Sequence, residues 1–350
     1  MSCACVTRSA RSFSAGQRVA STATTCAVVQ PQLRAAKRAL DQGDLAQAER
    51  VLTPLESSNS GCSEVLVGLG RLRASRNDFE KAQEFFTRAI DLAPQEPQPY
   101  YYFARFYLSR QQYQRADYFS EQAVLRDRAY PDALILRGQI LTKKGQTDAA
   151  RELLERACKL DPDNPETRFQ LGVFFDGRQL HPEAVEQFEQ VIAIRQRDPR
   201  AYDYLALNLE ALGKAEKAEA TYQKGLQVNQ GPLFDSFLDY NYGRFLMKSN
   251  RLAESKEYLD RAVRLAPGTR AVYYEHGRLN LRLQKYKEAQ VDAERALSLP
   301  DPGGFVLDLQ VYYLLASIYT RLGNAELAGK YAALCRTSRV PIQSQGRGER

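Results

Sequence analysis

Two histidines and six cysteines are the side chains best suited to metal or nucleophilic chemistry, and their placement argues against both. His181 stands before Pro182 and His276 before Gly277, each far from any cysteine. A zinc site of ordinary spacing needs Cys or His ligands in close pairs, and none is present. The run Asp161-Pro162-Asp163-Asn164-Pro165-Glu166 is dense in oxygens. It lacks the turn glycine and the spaced bidentate Glu of a calcium loop. There is no Gly-rich phosphate loop and no serine elbow. Cys158 has no His or acid placed to activate it. The expectation is therefore no enzyme, no metal and no cofactor, and the question passes to what the chain positions.

Composition describes a folded protein of 350 residues with 44% apolar residues, 20 Tyr, 15 Phe and no Trp. No apolar run approaches the roughly 18 residues that span a bilayer. The net charge of +7 sits at the ends. The first forty residues carry Arg8, Arg11, Arg18, Arg34, Lys37 and Arg38 with no acid, and 336–350 carries four Arg against one Glu. The body between is close to neutral. A nucleic-acid domain would concentrate cations on its folded face, so nucleic acid is not the expected partner.

An alanine recurs at Ala48, Ala82, Ala116, Ala150, Ala184 and Ala218, always 34 residues apart. The series runs on through Ser255, Ala289 and Ala328, with longer steps that place short insertions near Leu233–Asp235 and Gly304–Asp308. Small residues keep the same register at Ala36, Gly70, Ala104, Gly138, Gly172, Ala206, Gly243, Gly277 and Ala316. Pro97, Pro131, Pro165 and Pro199 share the 34-residue step and suit a first helical turn, where no N–H partner is needed. Each half-repeat has apolar residues at i, i+3, i+4 and i+7, the stripe of an amphipathic helix. Turns fall at Asn77-Asp78, Lys144-Gly145-Gln146 and Leu212-Gly213-Lys214. Small residues let paired helices approach closely.

Leu171-Gly172 through Ala184 and Phe188, and Gly138 through Gly145, Ala150, Ala157 and Asp161-Pro162, resemble tetratricopeptide repeats. The likeness extends over about residues 29–340. Thr147 and Ala215 replace the family's usual aromatic, and the last unit has Ala332 and Cys335 at its core positions. The resemblance implies an all-α fold, a right-handed superhelical solenoid of about nine helix-turn-helix repeats. The units run 29–62, 63–96, 97–130, 131–164, 165–198, 199–232, 236–269, 270–303 and 309–342. A disordered basic leader or targeting segment is expected over 1–28, the solenoid over 29–335 and a basic tail over 336–350.

The resemblance also implies that the first helix of each unit lines a concave surface that binds peptides or helices. Family positions then nominate Arg71; Tyr101, Tyr102 and Arg105; Gln139; Phe169 and Gln170; Tyr204; Tyr240, Asn241 and Arg244; Tyr274, Glu275 and Arg278; and Tyr313. Tyr and Arg are enriched at binding hot spots because they bury large area and offer directional donors. Tyr101/Arg105, Tyr240/Arg244 and Tyr274/Arg278 share a four-residue spacing that puts both side chains on one helix face. The competing reading is that some of these tyrosines pack between repeats. Asn241 alone matches the Asn/Lys set with which some members clamp acidic C-terminal tails, so that clamp is not expected.

Cys26 precedes the first helix of the first unit and Cys62 follows its second. An antiparallel hairpin brings those points to one end, within the roughly 4.4–6.8 Å Cα separation a disulfide needs. The alternative is two unrelated thiols. A disulfide would indicate an oxidising compartment such as the bacterial envelope or periplasm. The leader lacks the continuous apolar core of a secretory signal, and a cytoplasmic location is the leading expectation. The function expected is a protein-interaction scaffold or adaptor holding a polypeptide in its groove. A structural homo-oligomer joined through the C-terminal repeat, and a substrate-presenting subunit of a separate enzyme system, are the alternatives.

Overall fold

The computed structural model describes residues 26–59, 61–301 and 303–338. Most of the expected leader and tail, residues 1–25 and 339–350, lies outside them. The described residues form α-helices joined by turns and one 3-10 turn, with no strand. They divide into two compact units, one ending at Gln179 and the other beginning at Leu180.

The first unit contains four hairpins and a final helix: α1 (Gln30–Asp41) with α2 (Leu45–Ser58), α3 (Ser63–Ser75) with α4 (Phe79–Leu92), α5 (Pro97–Ser109) with α6 (Tyr113–Arg126), α7 (Pro131–Lys143) with α8 (Thr147–Leu160), and α9 (Pro165–Asp176). The second contains one helix and four hairpins: α10 (His181–Ile194), then α11 (Pro199–Ala211) with α12 (Ala215–Val228), α13 (Leu238–Lys248) with α14 (Leu252–Leu265), α15 (Arg270–Arg282) with α16 (Tyr286–Ser298), and α17 (Asp308–Arg321) with α18 (Ala325–Thr337). Within each unit the first helices of successive hairpins also pack on one another, which makes them a continuous wall.

The turn inside each hairpin is set by one residue in the left-handed region. Gly43, Gly145, Gly213 and Gly323 take it, as do Asn77, Gln111, Gln179, Asn250 and Gln284. These positions keep the alanine register, so the backbone repeats along with the side chains. Close approach follows from the small residues. A Cβ on Gly138 would stand 2.8 Å from Leu154 Cγ, and one on Gly243 would stand 2.8 Å from Leu259 Cγ. The alanines from Ala48 to Ala218 and Ala289 are fully buried. Ser255 replaces Ala in that column, and its hydroxyl donates to the Gly243 carbonyl at 2.7 Å, so the buried oxygen is satisfied. Helix α18 differs: Cys335 is its single buried side chain among the described residues.

The longer register steps are loops between hairpins, 229–237 and 299–307. Each is pinned by side chains. Asn229 and Asp235 exchange two hydrogen bonds, at 2.7 and 2.8 Å. Arg270 donates to the carbonyls of Ala296 and Val306 at 2.9 and 3.2 Å and pairs with Asp308 at 2.6 Å. In the first unit the sulfurs of Cys26 and Cys62 lie 2.12 Å apart, with Cα atoms 5.1 Å apart, closing a loop across the first hairpin.

Candidate functional site

The inner wall of the first unit carries a strip of aromatic and cationic groups on α3, α5 and the residue that precedes α7. Arg71 lies with its guanidinium 4.7 Å from the Tyr102 ring centroid and pairs with Asp41 at 2.5 Å. Tyr101 and Tyr102 meet edge to face at 4.9 Å, and Tyr101 also lies 5.4 Å from Tyr130. Arg105 is exposed, with its guanidinium 5.7 Å from the Tyr101 ring and 5.9 Å from the Tyr102 ring. Both distances suit cation–π attraction. Burial pushes the Tyr101 hydroxyl up to about 12 against the pull of Arg105, so the ring is neutral at physiological pH. Beside this strip, α1, α3 and α5 enclose a cavity of about 140 Å³ with Leu33 and Val67 among its apolar groups and Lys37, Glu64 and Arg71 among its charged ones.

Further along the same wall the side chains are amides and acids. Gln139 donates to Gln170 at 2.7 Å, and Gln170 donates to Glu166 at 2.7 Å. The nominated residues thus form two neighbouring groups in the first unit. One is aromatic and cationic, the other a hydrogen-bonded amide chain. Tyr102 and Phe169 are buried, at 8% and 6% exposure, although Tyr102 still lines the cavity beside Lys37 and Arg71.

The second unit repeats the Tyr–Arg pairing with different support. Tyr240 is half-buried, and Arg244 approaches its ring at 6.0 Å. Burial pushes the Tyr240 hydroxyl up to about 12, helped by the nearby Glu275 carboxylate. Arg278 lies 5.7 Å from the Tyr274 ring and donates to both oxygens of buried Glu275 at 2.9 Å. Tyr313 is exposed on α17. Tyr204 stacks on Phe188 of α10 at 5.3 Å, which makes it a packing residue between helices. Asn241 is a correction of the same kind: it is buried and donates to Asp203 at 2.8 Å.

Three contributors escape the family positions. Tyr130 precedes α7, outside the helix, yet its ring completes the Tyr101 cluster. Phe237 precedes α13 and meets Tyr240 edge to face at 6.2 Å. Lys37 stands 34 residues before Arg71 and shares its cavity; that register is the signal that could have found it. The histidines act within the scaffold. His181 shares a 2.8 Å hydrogen bond with Asn208, and His276 lies between Asp260 and Asp292 at 2.9 and 2.8 Å.

Models of tetratricopeptide repeats match residues 33–97, 240–303 and 309–335, and a model described as TPR repeat matches 138–176. The chain belongs to the tetratricopeptide repeat family. It is similar to anaphase-promoting complex subunit 3 of Schizosaccharomyces pombe, 20% identical over 279 residues, which are 79% of this chain and 40% of that protein. It is also similar to the type IV pilus assembly protein PilF of Pseudomonas aeruginosa, 26% identical over 161 residues, which are 45% of this chain and 63% of that protein. The chain therefore spans about two fifths to three fifths of the length of these relatives. Among solved structures, the Cut9-Hcn1 hetero-tetramer of the APC/C has a chain that matches with a TM-score of 0.61 and 15% identity, covering 78% of this chain and 52% of that one. At that identity the likeness describes the tetratricopeptide fold. Proteins of this family are protein-interaction scaffolds.

Proposed function

We propose that the chain is a non-catalytic scaffold that holds a segment of another polypeptide along its wall of first helices. The observation that carries this reading is the recurring Tyr–Arg pair. Arg105 and Arg244 each lie against a half-buried tyrosine, and neither is paired with a carboxylate among the described residues. The Arg244 Nε is buried without a hydrogen-bond partner. The remaining guanidinium N–H groups of both arginines can donate to a carboxylate or carbonyl of a ligand. Tyrosine adds apolar area with little rotamer entropy to lose. The test is capture of partner proteins by the wild-type chain and by one carrying Tyr240→Ala, Arg244→Ala and Tyr274→Ala, with circular dichroism showing both helical. Loss of the captured partner is expected. Undiminished capture by the variant would show that these pairs are internal packing.

A second reading has its own observation. In α18, Leu327, Ala328, Tyr331 and Ala332 remain half-buried. Terminal repeats ordinarily need a polar cap, and this helix suits contact with a second copy. Sedimentation across a wide concentration range tests it; a monomer at every concentration would exclude it. The Cys26–Cys62 pairing supports an oxidising compartment over the cytoplasmic one. Peptide mapping of alkylated native protein would decide, since free thiols at both positions would favour the cytoplasm.

A further inference from the structure

Lys37, Arg71 and Arg105 stand 34 residues apart on α1, α3 and α5. Those helices pack side by side, α1 on α3 and α3 on α5. Neighbouring helix axes lie roughly 8–10 Å apart, so the three cations form a short row of rungs. Lys37 and Arg71 open into one cavity that Tyr102 also lines, and both Arg71 and Arg105 lie against the Tyr102 ring. The row ends there, because the next two positions in register are Gln139 and Val173.

The two ends of this row are poorly compensated from within, whereas Arg71 between them pairs with Asp41 at 2.5 Å. Lys37 and Arg105 make no ion pair among the described residues, and neither does exposed Arg34, one turn from Lys37. Some other cations of the first unit are paired. Arg76 pairs with Glu49 at 2.6 Å, Arg137 pairs with Glu121 at 2.6 Å, and Lys144 pairs with Asp117. Seven residues earlier in register stand Gln30, Glu64 and Gln98, with the acids Asp132 and Glu166 in the next two repeats. Glu64 in that row accepts from Gln30 at 3.0 Å. Glu64 lines the same cavity as Lys37 and Arg71, and Asp132 lies within electrostatic reach of Lys37 and Arg105. Seven residues are about two helical turns, roughly 10 Å, which sets Glu64 off from the line of the cations.

We propose, building on the scaffold reading, that this row binds an extended acidic peptide segment with carboxylates at i, i+3 and i+6. A polyproline II segment rises about 3.1 Å per residue with three residues per turn, so every third side chain lies on one side, about 9 Å from the last. That repeat matches the helix spacing. Such a segment also carries an unsatisfied backbone. Gln98 lines the cavity with no hydrogen bond of its own among the described residues and can meet it. The chain's own leader and tail carry the wrong charge for this row.

The full chain should be titrated by fluorescence anisotropy with synthetic peptides of roughly twelve residues. One carries Glu at every third position, one clusters the same glutamates, one replaces them by Gln, and one replaces them by Lys. The spaced Glu peptide is expected to bind on the order of tenfold tighter than the clustered or Gln peptide, and to weaken steeply with salt. Lys37→Gln with Arg105→Gln should remove that preference, and Lys37→Glu with Arg105→Glu should transfer it to the spaced Lys peptide. Both positions are exposed, so neither pair threatens the fold. Equal binding of the spaced and clustered peptides overturns the proposal, as does binding of an oligothymidylate at the affinity of the spaced peptide. Selection from an unbiased displayed peptide library separates this proposal from the scaffold reading. Selected peptides that need Tyr101 or Tyr240 but carry no spaced acids would overturn the acidic register and leave the scaffold standing. Selection of none that depends on those tyrosines would overturn both.

Discussion

The two units are built on one repeat and stabilised by different physics. Among the described residues, the first unit buries Ser120 and Thr167 as its polar side chains and no acid. The second buries Asp198, Asp203, Asp239, Glu275 and Asp292, with Asn208, Asn241, Ser255 and Asn280. A buried carboxylate is tolerable when it is paired, and these are. Asp198 accepts from Arg200 at 2.8 Å, Asp239 from Arg261 at 2.8 Å, and Asp292 from Asn280 at 2.8 Å. The first unit relies instead on stacked rings and a covalent tie. Phe103 lies 5.4 Å from Phe86, 4.6 Å from Tyr107 and 4.3 Å from Phe119. Hydrophobic burial is indifferent to proton concentration, whereas charged pairs are not. One repeat therefore accepts either solution, and the two should respond to different perturbations.

The largest expected effect is on the rings. Phe86 is 1% exposed, and Phe86→Ala removes a side chain that stacks on Phe103 and fills the space over Gly70. Loss of transfer energy together with the cavity left behind should cost about 3–5 kcal/mol. Two cysteines outside the Cys26–Cys62 tie serve as reporters among the described residues, Cys158 in α8 for the first unit and Cys335 in α18 for the second. Pulsed alkylation in rising urea, read peptide by peptide, should show Cys158 labelled at clearly lower urea in the variant. An unchanged Cys158 midpoint would mean that the aromatic cluster does not stabilise the first unit.

Reduction comes next. The Cys26–Cys62 tie closes 36 residues of chain, and loop-closure entropy assigns such a crosslink about 2–4 kcal/mol. Cys62→Ser should lower the Cys158 midpoint by a corresponding amount and make it insensitive to reductant. The Cys335 midpoint should keep its value. A wild-type Cys158 midpoint equal with and without reductant would show that the tie contributes nothing to the first unit.

The sequence exposed some of this contrast and hid the rest for identifiable reasons. The alanine register, the small residues and the two longer loops were legible because each recurs at a fixed step. The inner-wall positions were less so. Tyr101 and Tyr102 are neighbours in sequence, but one residue turns a side chain about 100° around the helix, enough to carry Tyr102 from the open wall into packing. The same rotation buries Asn241 beside half-buried Tyr240. Tyr130 and Phe237 were missed because they precede their helices, where helical positions do not apply. The buried acids of the second unit were illegible because single acidic residues ordinarily read as solvated surface. Asp203 is kept inside by the amide of Asn241 on a neighbouring helix, and Asp198 by the folded placement of Arg200 two residues on.

The smallest expected effect isolates the charged part of the contrast. His276 on α15 donates toward Asp260 of α14 and Asp292 of α16, while Lys256 holds the other oxygen of Asp260 at 2.5 Å and Asn280 lies one turn along. Burial lowers the imidazole's proton affinity, but hydrogen bonds and charge from Asp292 and Asp260 outweigh it, so the net shift is upward. Asp260 moves down: burial works against this, and Lys256 and His276 prevail. A group whose folded affinity exceeds its unfolded affinity stabilises fully below the unfolded value, about 6.5 for histidine, and loses that contribution as pH rises through the folded value. His276→Gln keeps a polar group without the charge. It should cost about 1–2 kcal/mol near pH 6, the scale of a hydrogen bond to a charged group, and progressively less toward alkaline pH. The Cys335 midpoint reports it, with Cys158 as the reference that does not follow. A cost independent of pH would mean that His276 is held by packing and neutral hydrogen bonds rather than by its charge.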